Sequence, residues 1–401
     1  MNVAIIGGGA AGFFAAINVK ENYPNYKVDI YEKSTKVLSK VKVSGGGRCN
    51  VTNGVETIKE LSLAYPRGEK KLRKLFGIFS NKDAYKWFEN RGVDLVTQPD
   101  NCIFPKSQSS QSIINCFMDA AKQSNIIINY KKTVKQIKIE NNKIVLVFDD
   151  DILIYDKVIV ATGGSPKKKG LEWLENLGHQ IENPVPSLFT FNMPTESITK
   201  LMGIVVEKAQ VNIQGTKLKS LGPLLITHWG MSGPAILKLS SFGARILNQL
   251  DYDFKVQVNW INIVNNEVVR KELENIVIKN SNKQLSSIKP YQLQTRLWKY
   301  LLERIELPLE RKWKEIGKKG LNKLITILTN DVYQVEGKTT FKEEFVTCGG
   351  ISLEDINFKT MESKIIKNLY FTGEVLDIDG ITGGYNFQAA WTTAFIAAKL
   401  L

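Results

Sequence analysis

Residues 2–13 read Asn-Val-Ala-Ile-Ile-Gly-Gly-Gly-Ala-Ala-Gly-Phe, and this stretch decides the fold. The apolar run Val3–Ile6 predicts a short strand buried on both faces, the kind found in parallel sheets covered by helices. Gly7, Gly9 and Gly12 then fit G-x-G-x-x-G. Gly12–Asn22, with apolar Phe13, Ala16 and Ile17, predicts a helix, and Val28–Tyr31 a second strand that ends at Glu32, 20 positions past Gly12. In that setting Gly7 permits the tight turn, Gly9 lets a pyrophosphate approach the backbone, and Gly12 lets helix lie close on strand. The helix start at Ala10 and Ala11 offers free N–H groups and partial positive charge to phosphates. Glu32 can accept from ribose hydroxyls and repels a 2′-phosphate, which leaves FAD or NAD.

Two further glycine clusters bear on that choice. Ser44-Gly45-Gly46-Gly47-Arg48-Cys49-Asn50-Val51-Thr52-Asn53 follows the first βαβ segment. Its backbone can press against a flat ligand, Arg48 can neutralise an anion, and Asn50 and Thr52 add polar contacts. Cys49 reads as a ligand neighbour or a small packing residue. Near the other end, Gly373-Glu374-Val375-Leu376-Asp377 follows apolar Leu369–Phe371, and Gly383-Gly384-Tyr385-Asn386-Phe387-Gln388 opens a helix expected over 384–400. A helix start there stabilises negative charge near N1 and the C2 carbonyl of a reduced flavin. Asp377 or Glu374 can bind the hydroxyls of a ribityl chain or groups on the pyrophosphate side, while Tyr385 and Asn386 read as shaping the pocket. A second glycine-rich region returning at the C-terminal side favours FAD over NAD.

The chain has 401 residues, enough for two or three domains, and its 43% hydrophobic and 23% charged content fits a globular protein with a large core. Residues 69–91 and 109–124 read as helical, 133–140, 143–148 and 152–155 as a β-meander, and 157–161 as a buried strand ending in Thr162-Gly163-Gly164. The pattern changes at Pro184 and Pro186. Phe254, Val256, Val258 and Trp260 then alternate with polar residues, marking a half-buried antiparallel strand. Residues 265–280 and 290–305 read as helices. The expected organisation is α/β: a discontinuous nucleotide-binding domain at 1–187 and 342–401, with an insertion at 188–341. The insertion divides into strands at about 188–260 and 330–341 and a helical part at about 262–328.

Cys49, Cys102, Cys116 and Cys348 lie far apart, and His179 and His228 are the only histidines. Metal sites and dithiol redox chemistry are therefore not expected. Glycines interrupt the apolar stretch 3–19, and Ala389–Leu401 is too short to span a bilayer, so no membrane association is expected. With no secretory pattern, the cytoplasm is the expected compartment. The 54 Lys and Arg against 40 Asp and Glu give +14, a balance open to nucleic acid, anionic lipid or an anionic substrate. Because the lysines are scattered (Lys70-Lys71, Lys167-Lys168-Lys169, Lys318-Lys319), they read as solvated surface, with nucleic acid an unlikely partner.

Together these segments resemble the BaiN/YhiN-like family of bacterial FAD-dependent oxidoreductases, also called the aminoacetone oxidase family. The resemblance runs nearly end to end. It rests on Gly7–Gly12, Lys40 with Ser44–Asn53, Phe104-Pro105, Ala161–Gly164, Pro186-Ser187-Leu188, Thr227-His228 with Ser232-Gly233-Pro234, Thr347 with Gly349-Gly350, Thr360–Lys364, and Gly373–Asp377 with Gly383–Gln388. It implies a Rossmann-like FAD/NAD(P)-binding domain of the glutathione-reductase-like, two-dinucleotide-binding type, with an inserted β-barrel plus helical substrate domain. It also implies noncovalent FAD. The ADP moiety falls to Gly7–Gly12, Glu32 and Lys33, with Ala161, Thr162 and Gly163 at the adenosine end and Val134 at the adenine. The riboflavin half falls to Lys40, Ser44, Gly45, Gly46, Gly47, Arg48, Cys49 and Asn50, together with Gly373, Glu374, Asp377, Gly383, Gly384, Tyr385, Asn386 and Phe387. The chain departs from the family pattern at Leu38-Ser39, where Gly-Arg is usual, and at Pro166–Gly170, where a GSTGDG stretch is common.

The expected chemistry is hydride transfer between flavin N5 and a small organic substrate, by amine oxidation or enone reduction, with NAD(P)H as an optional transient donor. His228, beside Trp229 and Ser232, is the candidate catalytic proton donor, since a histidine titrates near neutral pH. Its alternative role is to cap a helix starting near Ser232-Gly233-Pro234. His179 reads as a surface residue after a helix end at Gly178. Two other readings stay open: a flavin-dependent RNA-modifying enzyme, which the charge allows, and a non-enzymatic flavin-binding sensor or assembly protein.

Overall fold

The Val3–Ile6 run lies in strand Asn2–Ile6, one of seven strands in the main sheet of a computed structural model that describes residues 1–339 and 346–401. From one edge, the strands are Ile356–Asn357, Glu362–Ser363, Leu369–Phe371, Lys157–Val160, Asn2–Ile6, Lys27–Glu32 and Ile127–Tyr130. The last five run parallel, and Ile5 stands between Ile159 and Ile30 in register, all three fully buried. Such strands need cover on both faces, which accounts for their continuous apolar sequence.

Helices Ala10–Asn22 and Tyr385–Ala397 pack against each other over this sheet. Both are apolar nearly all round, as a fully enclosed helix must be. Fully buried Trp391 joins them. Its ring lies 5.2 Å from Phe14 and stacks on Phe387 at 5.4 Å, and its Nε1 donates to the Val51 carbonyl at 2.9 Å. The meander forms from Gln136–Glu140, Lys143–Val147 and Ile152–Tyr155, starting three residues later than the expected 133. The expected helix over 69–91 is two helices, Glu69–Leu75 and Asn81–Glu89. Ser80 ends the continuity, because its hydroxyl and backbone N–H both bind the Asp83 carboxylate in a capping arrangement that starts a new helix.

The chain divides into two compact units, residues 1–187 with 341–401 and residues 188–340. The domain boundary expected at 341/342 lies outside the described residues. The second unit has its own seven-stranded antiparallel sheet, from Asp331–Glu336 at one end of the order to Lys338–Thr339 at the other. Helices Pro234–Gln249, Asn266–Lys279, Thr295–Arg304 and Gly317–Thr329 belong to it. Its separate core includes Phe191, Val256, Trp298, Trp313 and Tyr333. Among the described residues no helix is long and apolar enough to cross a membrane.

His179 is corrected by the structure. It is 1% exposed rather than superficial, sharing a 2.8 Å hydrogen bond between Nε2 and the Ser363 hydroxyl and lying edge-on to Phe371 at 5.0 Å. The chain turns inward immediately after Gly178, whose φ of +95° a glycine adopts without strain. Burial lowers the pKa of His179 from its ordinary 6.5. Below about pH 6.5 the unfolded chain therefore takes up a proton that the folded chain resists, and stability falls as pH drops toward the folded value. We expect the urea midpoint to decline between pH 7.5 and 5.5 and the decline to be shallower in His179→Gln, measured by tryptophan fluorescence.

Candidate functional site

Strands Asn2–Ile6, Lys27–Glu32, Lys157–Val160 and Leu369–Phe371 all deliver their carboxyl ends to one edge of the sheet. Asn2–Ile6 is the switch point, with Lys27–Glu32 on one side and Lys157–Val160 on the other, and ligands of open α/β sheets bind there. The glycines separate into two kinds. At Gly7, with φ +115°, an added Cβ would lie 2.4 Å from the Ala161 carbonyl oxygen, and at Gly12 it would lie 2.0 Å from that of Gly7. These two let the backbone close on itself. At Gly9, Gly46, Gly47 and Gly163 a Cβ would meet nothing within 4 Å. Those four leave open space in which bare backbone can be approached.

Gly9 is the N-cap of helix Ala10–Asn22 and supplies no side-chain cap, so its first turn keeps N–H groups for an anion. Glu32 is held toward the same loop, accepting from Gly8 N at 2.9 Å and Ser34 N at 2.8 Å. Lys33 beside it is exposed. The segment carrying half-buried Val134 folds back to this tip, with Lys132 N donating to the Glu32 carbonyl at 3.0 Å.

Ser39–Gly47 is helical at first and breaks at Ser44, Gly45 and Gly46. Leu38 (φ +57°) and Cys49 (φ +62°) bracket it, both buried and both in the left-handed region that L-residues avoid. Leu38 occupies the position where the family pattern has glycine, and its buried side chain offsets a backbone cost of about 1–2 kcal/mol. Burial pushes the Cys49 thiol up to about 12, so it stays protonated. Arg48 is fixed as a cation, its guanidinium 4.1 Å above the Phe104 ring and bonded to Gln108 Oε1 at 3.2 Å.

The C-terminal cluster closes onto this loop. Gly384 is the N-cap of Tyr385–Ala397, again without a side-chain cap, and an added Cβ would lie 2.4 Å from the Thr52 carbonyl oxygen. Asn53 Nδ2 donates to the Gly383 carbonyl at 3.0 Å, and Thr52 to Gln388 Oε1 at 2.6 Å. Among the described residues, Asn50 Oδ1 and Thr347 Oγ1 are buried without a hydrogen-bond partner. Orphan acceptors beside uncapped helix starts and bare glycines match the polar, anionic and flat parts of FAD. Gly373 brings the two ends of the chain together, since a Cβ there would lie 2.9 Å from that of Ala11. Glu374 binds Lys40 at 2.7 Å and accepts from Thr347 N at 3.1 Å. Asp377 is 7% exposed, with its N–H on the Ile351 carbonyl. Asn386 closes its own turn, accepting from Gly380 N at 2.8 Å and donating to the Gly380 carbonyl at 2.9 Å. Burial raises the Tyr385 phenol to about 12.

One group was not expected from the sequence. Arg67 Nε bonds Asp379 Oδ1 at 2.5 Å, its Nη2 contacts Oδ2, and the Ser187 hydroxyl donates to Oδ2 at 2.7 Å. Asp379 is fully buried, and the group pins the turn that leads into Gly383-Gly384. No local pattern announces a pair 312 residues apart. His228, in the second unit, is exposed between strands Lys219–Ile226 and Gly230–Ser232, edge-on to Trp229 at 4.3 Å. It does not cap the helix beginning at Pro234, whose N-cap Gly233 receives no side-chain bond.

Residues 1–400 match the sequence profile of the HI0933-like protein Rossmann domain. The chain belongs to this family. As an HI0933-like protein it is 25% identical over 409 positions to a 3-dehydro-bile acid delta(4,6)-reductase of Clostridium scindens, covering 99% of this chain and 98% of that one. It is 28% identical to a ribosomal RNA dihydrouridine synthase of Escherichia coli, covering 98% and 96%. Among solved structures it resembles 3-ketosteroid delta1-dehydrogenase of Sterolibacterium denitrificans with a TM-score of 0.52 at 11% identity, over 99% and 98% of the two chains. The HI0933-like chain is thus a flavin-dependent oxidoreductase with a Rossmann-type nucleotide-binding domain.

The two kinds of glycine predict opposite phenotypes. Gly9→Ala is expected to leave the melting temperature within about 2 °C while weakening FAD binding at least tenfold. Gly12→Ala is expected to destabilise the fold itself. Thermal denaturation with FAD titration by flavin fluorescence quenching separates the two.

Proposed function

We propose that the protein binds FAD noncovalently and reduces a carbon–carbon double bond conjugated with a carbonyl, and that the double bond belongs to a uracil base in RNA. Bound FAD, once reduced by a nicotinamide, would supply the hydride. The names of both relatives describe one chemistry. A 3-dehydro, delta(4,6) steroid carries double bonds conjugated with a ketone, and uridine carries one conjugated with its C4 carbonyl. In either, hydride delivered to a carbon conjugated with the carbonyl would place the developing charge on the carbonyl oxygen, and a proton would complete the saturated bond.

The protein's contribution is binding, orientation and charge. The first turns at Ala10 and Tyr385 offer uncapped N–H groups to phosphate and to a reduced flavin ring. Arg48, fixed over Phe104, adds a permanent cation beside the glycine loop. The observation favouring RNA is the +14 charge taken with the RNA-acting relative. A free conjugated enone is the second reading, favoured by the bile acid reductase. NAD(P)H is the proposed electron donor. His228 is the proposed proton donor, and His228→Ala is expected to lower turnover about 10²-fold with flavin content unchanged.

The deciding experiment incubates holoprotein anaerobically with NADH or NADPH and either deproteinised ribosomal RNA or a 3-keto steroid enone. A gain of about 2 Da on uridine, read by nucleoside mass spectrometry, supports the RNA reading. Saturation of the steroid alone supports the second. If the nicotinamide bleaches the flavin and neither substrate is reduced, double-bond reduction is wrong, and peroxide release from amines becomes the assay.

A further inference from the structure

We propose that a lysine cluster in the second unit, at residues 283 and 312–319, grips the phosphate backbone of RNA; this rests on the RNA reading above. Residues 281–323 hold eleven Lys and Arg against four Asp and Glu, a net +7. About a tenth of the chain, 43 of 401 residues, therefore carries half of its +14. Scattered solvating lysines do not concentrate in this way.

The fold presents the charges on one stretch of surface. An antiparallel bridge joins Gln284 to Lys312, Leu285 N donates to the Arg311 carbonyl at 2.8 Å, Trp313 N to the Lys283 carbonyl at 3.0 Å, and Lys314 N to the Ser281 carbonyl at 3.0 Å. Fully buried Trp313, stacked with Trp298 at 6.3 Å, anchors the segment from beneath. Helix Gly317–Thr329 follows, burying Leu321, Leu324 and Leu328. Lys283, Lys312, Lys314, Lys318 and Lys319 are left exposed, and among the described residues none of the five has an ion pair.

Local stability does not account for them. Glu315 is engaged by the Lys312 backbone N–H at 3.2 Å, and Glu306 is paired with Lys323 at 3.6 Å. Lys318 and Lys319 lie in the first turn of their helix, where the macrodipole opposes cations and no acidic residue offsets them. Exposed lysines that have no ion pair among the described residues suit a polyanion, whose phosphates release counterions on contact.

The test compares two holoprotein variants that lose the same charge. One is K312Q/K314Q/K318Q/K319Q. The control is K82Q/K106Q/K122Q/K138Q, four exposed lysines of the first unit. Binding to deproteinised ribosomal RNA is measured by filter retention across a range of KCl concentrations. The cluster variant is expected to bind at least about 30-fold more weakly near 0.1 M salt, with the log–log salt slope reduced by about 3. Its flavin absorbance and dithionite reduction should match wild type, and the control should bind within about threefold of wild type. Wild-type binding with equal losses in both variants, or with none in the cluster variant, overturns the surface while leaving the RNA reading standing. Absence of salt-dependent binding by wild type overturns both.

Discussion

The first unit depends on a backbone contact that leaves no room for a side chain. The Gly7 turn presses on Ala161, and Gly12 presses on Gly7, at distances where a Cβ atom cannot stand. That closeness puts the helix start directly over the carboxyl end of the central strand. It also aligns the Lys157–Val160 strand end beside the first loop. A helix displaced outward by a methyl group would carry its free N–H groups away from the place where phosphate must sit, and the effect of those groups fades within a turn.

Around this contact the site is assembled mainly from backbone. It offers two helix starts without side-chain caps, four glycines open to approach and, among the described residues, a few orphan oxygens. The ionisable groups nearby are mostly locked. Arg48 sits on an aromatic ring, Glu374 on Lys40 and the Thr347 amide, and Cys49 and Tyr385 are held neutral by burial. Such a site binds and polarises a cofactor and leaves the hard chemistry to it. The buried Arg67–Asp379–Ser187 group serves the same end. A desolvated ion pair contributes little net stability, but it holds its turn in one conformation.

Much of this was legible in the sequence because it is local. A strand, a glycine turn, a helix and an acidic strand end within the first 32 residues leave few alternatives. The glycine clusters at 44–53 and 373–388 were visible for the same reason. What escaped is what distance creates. Inward-turning His179 and the Arg67–Asp379 pair depend on partners 184 and 312 residues away. The break between Glu69–Leu75 and Asn81–Glu89 was local but overlooked, since the Ser80–Asp83 cap signal was submerged in an otherwise helical run. The turn that the Asn386 amide closes through Gly380 was likewise not legible, since its pairing carries no pattern of its own.

The seam between the Lys157–Val160 and Leu369–Phe371 strands, with Gly384 behind it, has a consequence for biosynthesis. The glycine loop at residues 7–12 leaves the ribosome first, yet the Gly373 turn and the helix that pack against its own helix come from residues 373–397. Loop closure across so much chain is slow, because its entropic cost comes before the contacts that reward it. The nascent first unit must therefore wait for its Leu369–Phe371 strand and its Tyr385–Ala397 helix while the whole second unit is made. That interval is when the chain is most exposed to aggregation. A cofactor held by both ends, as proposed above, would act in it as a clasp, locking the late segments onto the early ones.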